Sequence, residues 1–204
     1  MSAQAILDRL SSELPLARRS WRDIDVAVGG PQAAVLVALT QVDEPQVLLG
    51  RRAMHLSLHP GEIAFPGGKR EPEDDSAWDT ALREATEEVA MPPTQVTAIG
   101  ELEPLITRTG FEVFPCVGII PEGLDYTVDP GEFDSVFHAP LSVFADRGIF
   151  RLETMRDGAR TRRVPHYQVG DDNIWGVTAA ILAQLANVAY DAGLDLESNG
   201  EVKP

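Results

Sequence analysis

Residues 76–91, SAWDTALREATEEVAM, decide how this chain is read. Strong helix formers run throughout, Ser76 or the aspartates before it can serve as N-cap, and Pro92-Pro93 supplies a stop, so the pattern predicts a helix over 76–91. At about 100° per residue, Leu82, Ala85 and Val89 fall on one side of that helix. Glu84, Glu87 and Glu88 fall together on the other, within roughly 100°. Carboxylates three and four residues apart are neighbours on a helix and repel. At ~4 Å and an effective dielectric of ~20, each close pair would cost about 4 kcal/mol before relaxation. Such a face calls for full solvation or a nearby cation, and Arg83 is a partial neutraliser.

On either side of this helix the chain alternates between strand and loop. Ala33–Leu39 (AAVLVAL) and Val47–Leu49 are short, bounded apolar runs rich in branched residues, read as a buried hairpin. In residues 51–75 only IAF (63–65) looks like a strand, and the remainder reads as loop punctuated by Pro60-Gly61 and Pro66-Gly67-Gly68. Downstream, VTAIGELEPL, FEVFPCVGII and FDSVF read as strands, with LETMRD and RVPHYQV as a later pair joined through the turn DGAR. A second helix is expected from about Ile174 to Tyr190, with Ile181, Leu185 and Val188 on one side. A short amphipathic helix over 3–14, stopped at Pro15, precedes an irregular arm containing Arg18, Arg19, Trp21 and Arg22. Strands before and after one strong helix argue for a mixed α/β domain. The expected organisation is an N-terminal helix and arm over 1–32, one domain over 33–192, and an acidic, frayed tail over 193–204.

Length and charge exclude several classes. A chain of 204 residues suits one compact domain. No window offers the roughly 20 consecutive apolar residues of a membrane span, and the N-terminus lacks an export pattern, so a cytoplasmic protein with no membrane partner is expected. The net charge of −15 repels polyanions and argues against a nucleic-acid partner. A single cysteine, Cys116, allows no internal disulfide and is read as core. The chain is expected to act on a small molecule as a monomer or homodimer.

The acidic helix gains meaning from FPGGKREPEDD (65–75) just upstream, where glycines allow close backbone approach, carbonyls can ligate, and Asp74 and Asp75 add oxygen donors. Hard oxygen ligands without clustered His or Cys select Mg²⁺ or Mn²⁺, and magnesium points to phosphate chemistry. Gly68 to Met91, GKREPEDDSAWDTALREATEEVAM, resembles the Nudix box: Gly, five residues, Glu, seven residues, Arg-Glu, aliphatic, any, Glu-Glu, any, Gly, aliphatic. Arg83-Glu84-x-x-Glu87-Glu88 matches fully. The chain departs in carrying one extra residue between Gly68 and Arg83, an aspartate (Asp74 or Asp75) as the first acid, and Ala85 and Ala90 where a larger aliphatic and a glycine are usual. Leu48–Gly68, LLGRRAMHLSLHPGEIAFPGG, is similar to the segment before the box in the coenzyme A pyrophosphatase branch, with Gly50 in place of a usual Thr and Ser57 where an Arg is common. TRTGFEVFPCVG (107–118) and NIWGVTAAIL (173–182) also look like that branch.

The resemblance implies an α/β/α Nudix sandwich and metal-dependent hydrolysis of a diphosphate, that of coenzyme A or an acyl derivative. The products would be 4′-phosphopantetheine, free or acylated, and adenosine 3′,5′-bisphosphate. The alternatives are ADP-ribose, dinucleotides or nucleoside triphosphates as substrate, or a Nudix-fold binding module without catalysis. It also implies that the Gly67 carbonyl, Glu84, Glu87 and Glu88 hold the metal and that Arg83 orients a glutamate. The catalytic base is left between Glu84 and Glu132, the nearest suitable acid of a later loop. Arg51, Arg52, His59, Lys69, Arg70 and Arg108 are the expected substrate-binding residues. His55, His138 and His166 are read as structural or exposed, and Trp175 and Phe111 as core aromatics that could alternatively stack on a base.

Overall fold

The structure, a computed structural model, describes residues 2–15, 21, 30–157 and 160–196. Arg18, Arg19 and Arg22, the centre of the DGAR turn and the last eight residues of the tail lie outside the described residues.

The apolar run at 33–39 becomes the central strand β1 (Gln32–Thr40), and FEVFPCVGII becomes β7 (Glu112–Ile120). These two pair in parallel over nine residues, from Gln32 opposite Glu112 to Thr40 opposite Ile120. Both are buried on both faces, which is why neither shows alternation in sequence. The remaining pairings are antiparallel. β2 (Gln46–Arg52) joins β1 at Leu39–Val47 and then runs along β8 (Phe133–Pro140). β3 (Ile63–Ala64) adds to β2, while β5 (Thr97–Glu101) and β6 (Leu105–Ile106) add to β7.

Residues 67–69, read as loop from their glycines, instead form β4 (Gly67–Lys69), which takes the place beside β1 that β2 vacates. Backbone pairing of Ala33, Ala34 and Val35 with Lys69, Gly68 and Gly67 supplies the order that side chains could not signal. Ile174 and Trp175, read as the start of the last helix, instead end β11 (Asp172–Trp175), which pairs with β10 (Arg160–Val169), which pairs with β9 (Phe150–Asp157) in a separate three-stranded sheet.

Helices cover both faces of the large sheet, as the expected α/β/α sandwich requires. α2 (Ala77–Val89) packs through Ala77, Trp78, Ala81 and Ala85 on Leu36, Ala38, Leu48 and Phe114. α1 (Ala3–Glu13) and α3 (Gly176–Tyr190) share the core on the opposite face with Val37, Leu39, Val47 and Leu49. Successive residues of a strand point to opposite faces, so the alternation within β1 and β2 divides the two cores. Trp21, placed in the arm by sequence, is buried edge-on against Phe114 at 4.9 Å, and its backbone N–H donates to the Asp75 carbonyl. The tail is ordered further than expected: Leu194 is buried, and the Asn187 side-chain amide both donates to its carbonyl and accepts from its N–H.

α2 begins as its sequence indicates, with the Ser76 hydroxyl accepting the Asp79 N–H. It ends before the prolines, at Ala90 in the left-handed conformation (φ 56°), and the Met91 N–H returns to the Ala85 carbonyl. A glycine is usual at this position of the box because it adopts that conformation without cost. Ala90→Gly is expected to stabilise the protein by about 1 kcal/mol, measured by urea denaturation.

Candidate active site

The site forms where β4 meets α2. Gly67, with φ 155°, lies so close to β1 that a Cβ would strike the Ala34 carbonyl and Val35. The same close approach directs its N–H to the Glu88 carboxylate, Oε2 at 2.8 Å. At Gly68 a Cβ would occupy the space held by the Glu84 carboxylate. The two glycines therefore admit two glutamates one helical turn apart. Gly68→Ala is expected to leave the melting temperature nearly unchanged, because the obstructing atoms end a flexible side chain, yet to cut turnover at least tenfold by displacing Glu84; thermal melts and steady-state rates separate the two effects.

Burial decides the electrostatics. Although the helical arithmetic sets Glu88 opposite Leu82 on a polar face, Glu88 is only 4% exposed and Leu82 is half-buried. The α2 core stripe is centred nearer Ala81 and Ala85, which draws Glu88 inward. Burial, together with the charges of Glu84 and Glu132, pushes the Glu88 carboxyl up to about 8, against the lowering effect of the Gly67 N–H and Arg52. Burial also raises Glu84, opposed by Arg83 and reinforced by Glu87 and Glu71.

Arg83 organises the acids around this pair. Its Nε and Nη2 reach Asp74 at 3.2 and 3.0 Å, its Nη1 reaches Glu84 at 3.1 Å and Glu87 at 3.2 Å, and its Nη2 also donates to the Lys69 carbonyl. Asp74, 5% exposed, further accepts from the Thr80 hydroxyl and the Glu71 N–H. Burial alone would raise its carboxyl, but those donors and the Arg83 charge outweigh it and hold it below the ordinary value. The choice between Asp74 and Asp75 is thereby decided as the partner of Arg83. Both Asp74 oxygens accept from Arg83. Thr80 is a site residue that the sequence reading missed; its only signal was a polar residue one turn before Arg83 on the buried side of α2.

Glu132 reaches the site through the backbone. The Asp129 N–H donates to the Glu88 carbonyl and the Thr127 N–H to that of Val89, so the loop after β7 satisfies carbonyls at the end of α2. The Glu132 carboxylate then faces Arg52 at 3.4 Å, while its carbonyl accepts the Ala53 N–H. Among the described residues no three Asp, Glu, His or Cys side chains are gathered into a closed ligand cage, and Glu87, with its side chain 60% exposed, is turned to Arg83.

The six expected substrate-binding residues do not form one cluster. Arg52 faces Glu132, but neighbouring Arg51 points to the other side of the sheet and pairs with Asp172 of β11 at 2.9 Å. Lys69 lies over the Phe111 ring at 5.4 Å, and Arg70 bonds the Gln32 side chain and lies over Trp21. His59 is exposed, in a left-handed conformation (φ 57°), with Nδ1 3.0 Å from the Glu62 carboxylate. Arg108 is exposed in the turn between β6 and β7. His138 meets the Tyr126 hydroxyl at 3.2 Å, and buried His166 stacks on half-buried Trp175. Cys116 is buried, as read.

A mixed sheet between helices, with a buried and a half-buried glutamate opposite a glycine strand and an arginine binding the acids together, defines a hydrolase of the Nudix type. The NUDIX domain family model matches residues 30–147, and the chain belongs to that family. Among curated relatives it is 42% identical over 186 residues to a protein named "Uncharacterized Nudix hydrolase NudL" of Enterobacter sp. (strain 638), covering 88% of this chain and 93% of that one. A protein of the same name from Salmonella paratyphi B is 44% identical over 161 residues, covering 76% and 81%. The NUDIX hydrolase from Alicyclobacillus acidocaldarius superposes with a TM-score of 0.54 at 18% identity, over 76% of this chain and 90% of that one, a likeness of fold. No described helix is long and apolar enough to cross a membrane.

Proposed function

We propose that this Nudix hydrolase cleaves the diphosphate of coenzyme A or its acyl derivatives, giving 4′-phosphopantetheine, free or acylated, and adenosine 3′,5′-bisphosphate. The observation that carries the phosphate chemistry is the buried Glu88, held near pKa 8 by burial and by two further carboxylates with Arg52 as the opposing cation. An all-oxygen, electron-rich pocket of this kind fits Mg²⁺ or Mn²⁺. The Gly67 carbonyl, Glu84 and Glu88 would hold the ion, joined by Glu87 once it leaves Arg83. When bound, the ion supplies charge neutralisation of the diphosphate and a bound water of lowered pKa.

The chain's own residues do the rest. Arg83 keeps Glu84 in place through Nη1 while it is anchored on Asp74. Arg52 is set to bind a phosphate oxygen, and Glu132 or Glu84 accepts the proton of the attacking water. Coenzyme A as substrate is supported by the similarity of residues 48–68 to the segment before the box in that branch. Arg52 lies in that segment, and its Ala53 is hydrogen-bonded to Glu132.

Mass spectrometry of products tests the reading after separate incubation with coenzyme A, acetyl-coenzyme A, ADP-ribose, NADH and a nucleoside triphosphate plus Mg²⁺ or Mn²⁺. Adenosine 3′,5′-bisphosphate formed by the wild type and not by Glu88→Gln is the expected result. Cleavage confined to another substrate would keep the chemistry and overturn the specificity.

A further inference from the structure

The ribbon formed by β9 and β10 is the least supported part of the fold. No residue of 151–156 or 161–165 is buried; Leu152, Thr161, Arg162, Val164 and Pro165 are half-buried and the others exposed, and β9 is the edge of its sheet. A two-stranded ribbon is marginally stable in water, and an open edge strand invites pairing. Its composition opposes that of the chain: residues 150–169 carry Arg151, Arg156, Arg160, Arg162 and Arg163 against Glu153 and Asp157, in a protein of net charge −15. Arg151 is paired with Glu153 at 2.7 Å. Arg156, Arg162 and Arg163 have no ion-pair partner among the described residues. The register sets Arg156 and Arg163 on one face and Arg162 on the other beside Met155, which is 42% exposed.

A matching surface lies elsewhere on the same molecule. The turn between β1 and β2 and the start of α1 enclose a cavity of about 620 Å³ lined by Gln4, Gln41, Asp43, Glu44, Gln46 and Glu122. Its three carboxylates have no ion-pair partner among the described residues, and Glu44 accepts the Ser142 hydroxyl.

We infer that the β9–β10 ribbon is a docking arm for a second copy of this chain, the face that carries Arg156 and Arg163 lying against the partner's Asp43, Glu44 and Glu122. Two such contacts exchanged about a twofold axis close a dimer and cover both unsupported ribbons. At each contact Arg156 and Arg163 meet the three carboxylates.

Sedimentation velocity on the full chain tests this through charge reversal. At ~50 µM in low salt the wild type is expected to be a dimer that dissociates toward monomer at ~1 M NaCl. The arm variant Arg156→Glu/Arg163→Glu and the cavity variant Asp43→Lys/Glu44→Lys/Glu122→Lys should each be monomeric alone. Mixed, they should form a heterodimer, because both contacts then join opposite charges. Circular dichroism of each variant establishes that it is folded. A monomeric wild type in low salt, single variants that dimerise like the wild type, or folded variants that fail to associate on mixing would each overturn the arm. An arm that binds a polyanion such as heparin while the oligomeric state is unaltered would overturn it in favour of a different partner.

Discussion

Glu88→Gln is expected to lower turnover by at least about 10³-fold while making the metal-free protein more stable above pH 8. The sign follows from the carboxyl being raised on folding, from 4.5 to about 8. A raised acid contributes stability that is complete below the unfolded value and is lost as the pH climbs through the folded one. Metal-free wild type therefore weakens between pH 4.5 and 8, as an unfavourable charge forms inside the protein. Glutamine stays neutral and can still accept the Gly67 N–H, so the variant avoids that loss, on the order of 3–5 kcal/mol at pH 9 and near zero at pH 4. Urea denaturation in EDTA across this range measures the difference. Adding Mg²⁺ or Mn²⁺ should reverse the order, since the ion binds the native wild type and not its unfolded chain. Exposed Glu87, in contrast, should alter metal-free stability little when changed to Gln. A Glu88→Gln protein that is less stable than wild type at pH 9 without metal would mean that the glutamate is a structural partner rather than a stored charge.

Arg83→Ala is expected to destabilise by about 2–4 kcal/mol, a large effect for a side chain that reaches the surface. The cause is Asp74, buried and left with only the Thr80 hydroxyl and the Glu71 N–H as donors. The depressed Asp74 carboxyl contributes its stability above pH 3.8 and loses it as the pH falls, so the wild-type advantage over Arg83→Ala should narrow below pH 4. Arg83→Lys should recover only part of the loss, because an ammonium cannot span Asp74, Glu84 and Glu87 from Nε and both Nη atoms. Adding Asp74→Asn to Arg83→Ala should restore stability by removing the unpaired charge, without restoring turnover, since Glu84 would remain unheld. Chemical denaturation of wild type, Arg83→Ala, Asp74→Asn and the double variant checks this. Independent, additive effects of the two substitutions would sink the account.

Much of the architecture follows from pattern. Runs without polar side chains at 33–39 and 113–120 identify the central strands because a strand buried on both faces has no polar positions. The Ser76 cap and the helix formers after it locate α2 within a residue or two. β4 and β11 escaped notice for the opposite reason: Gly67-Gly68-Lys69 and Asp172-Asn173 have no side-chain signature of a strand, and their order comes from pairing with β1 and β10.

The site divides in the same way. Local spacing puts Arg83, Glu84, Glu87 and Glu88 on one helix, and type alone selects oxygen ligation, so the sequence by itself determined the inventory of reactive groups and their reach along α2. It could not determine that Glu88 is buried and Glu87 exposed, that Asp74 belongs to Arg83, that Glu132 returns to the end of α2, or that Arg51 and Arg52 serve opposite faces of the sheet. Those depend on which side of each element meets another, and on backbone groups from distant segments that meet only after folding. Local sequence sets what a residue can do; the desolvation and the partners that set its charge are properties of the tertiary fold.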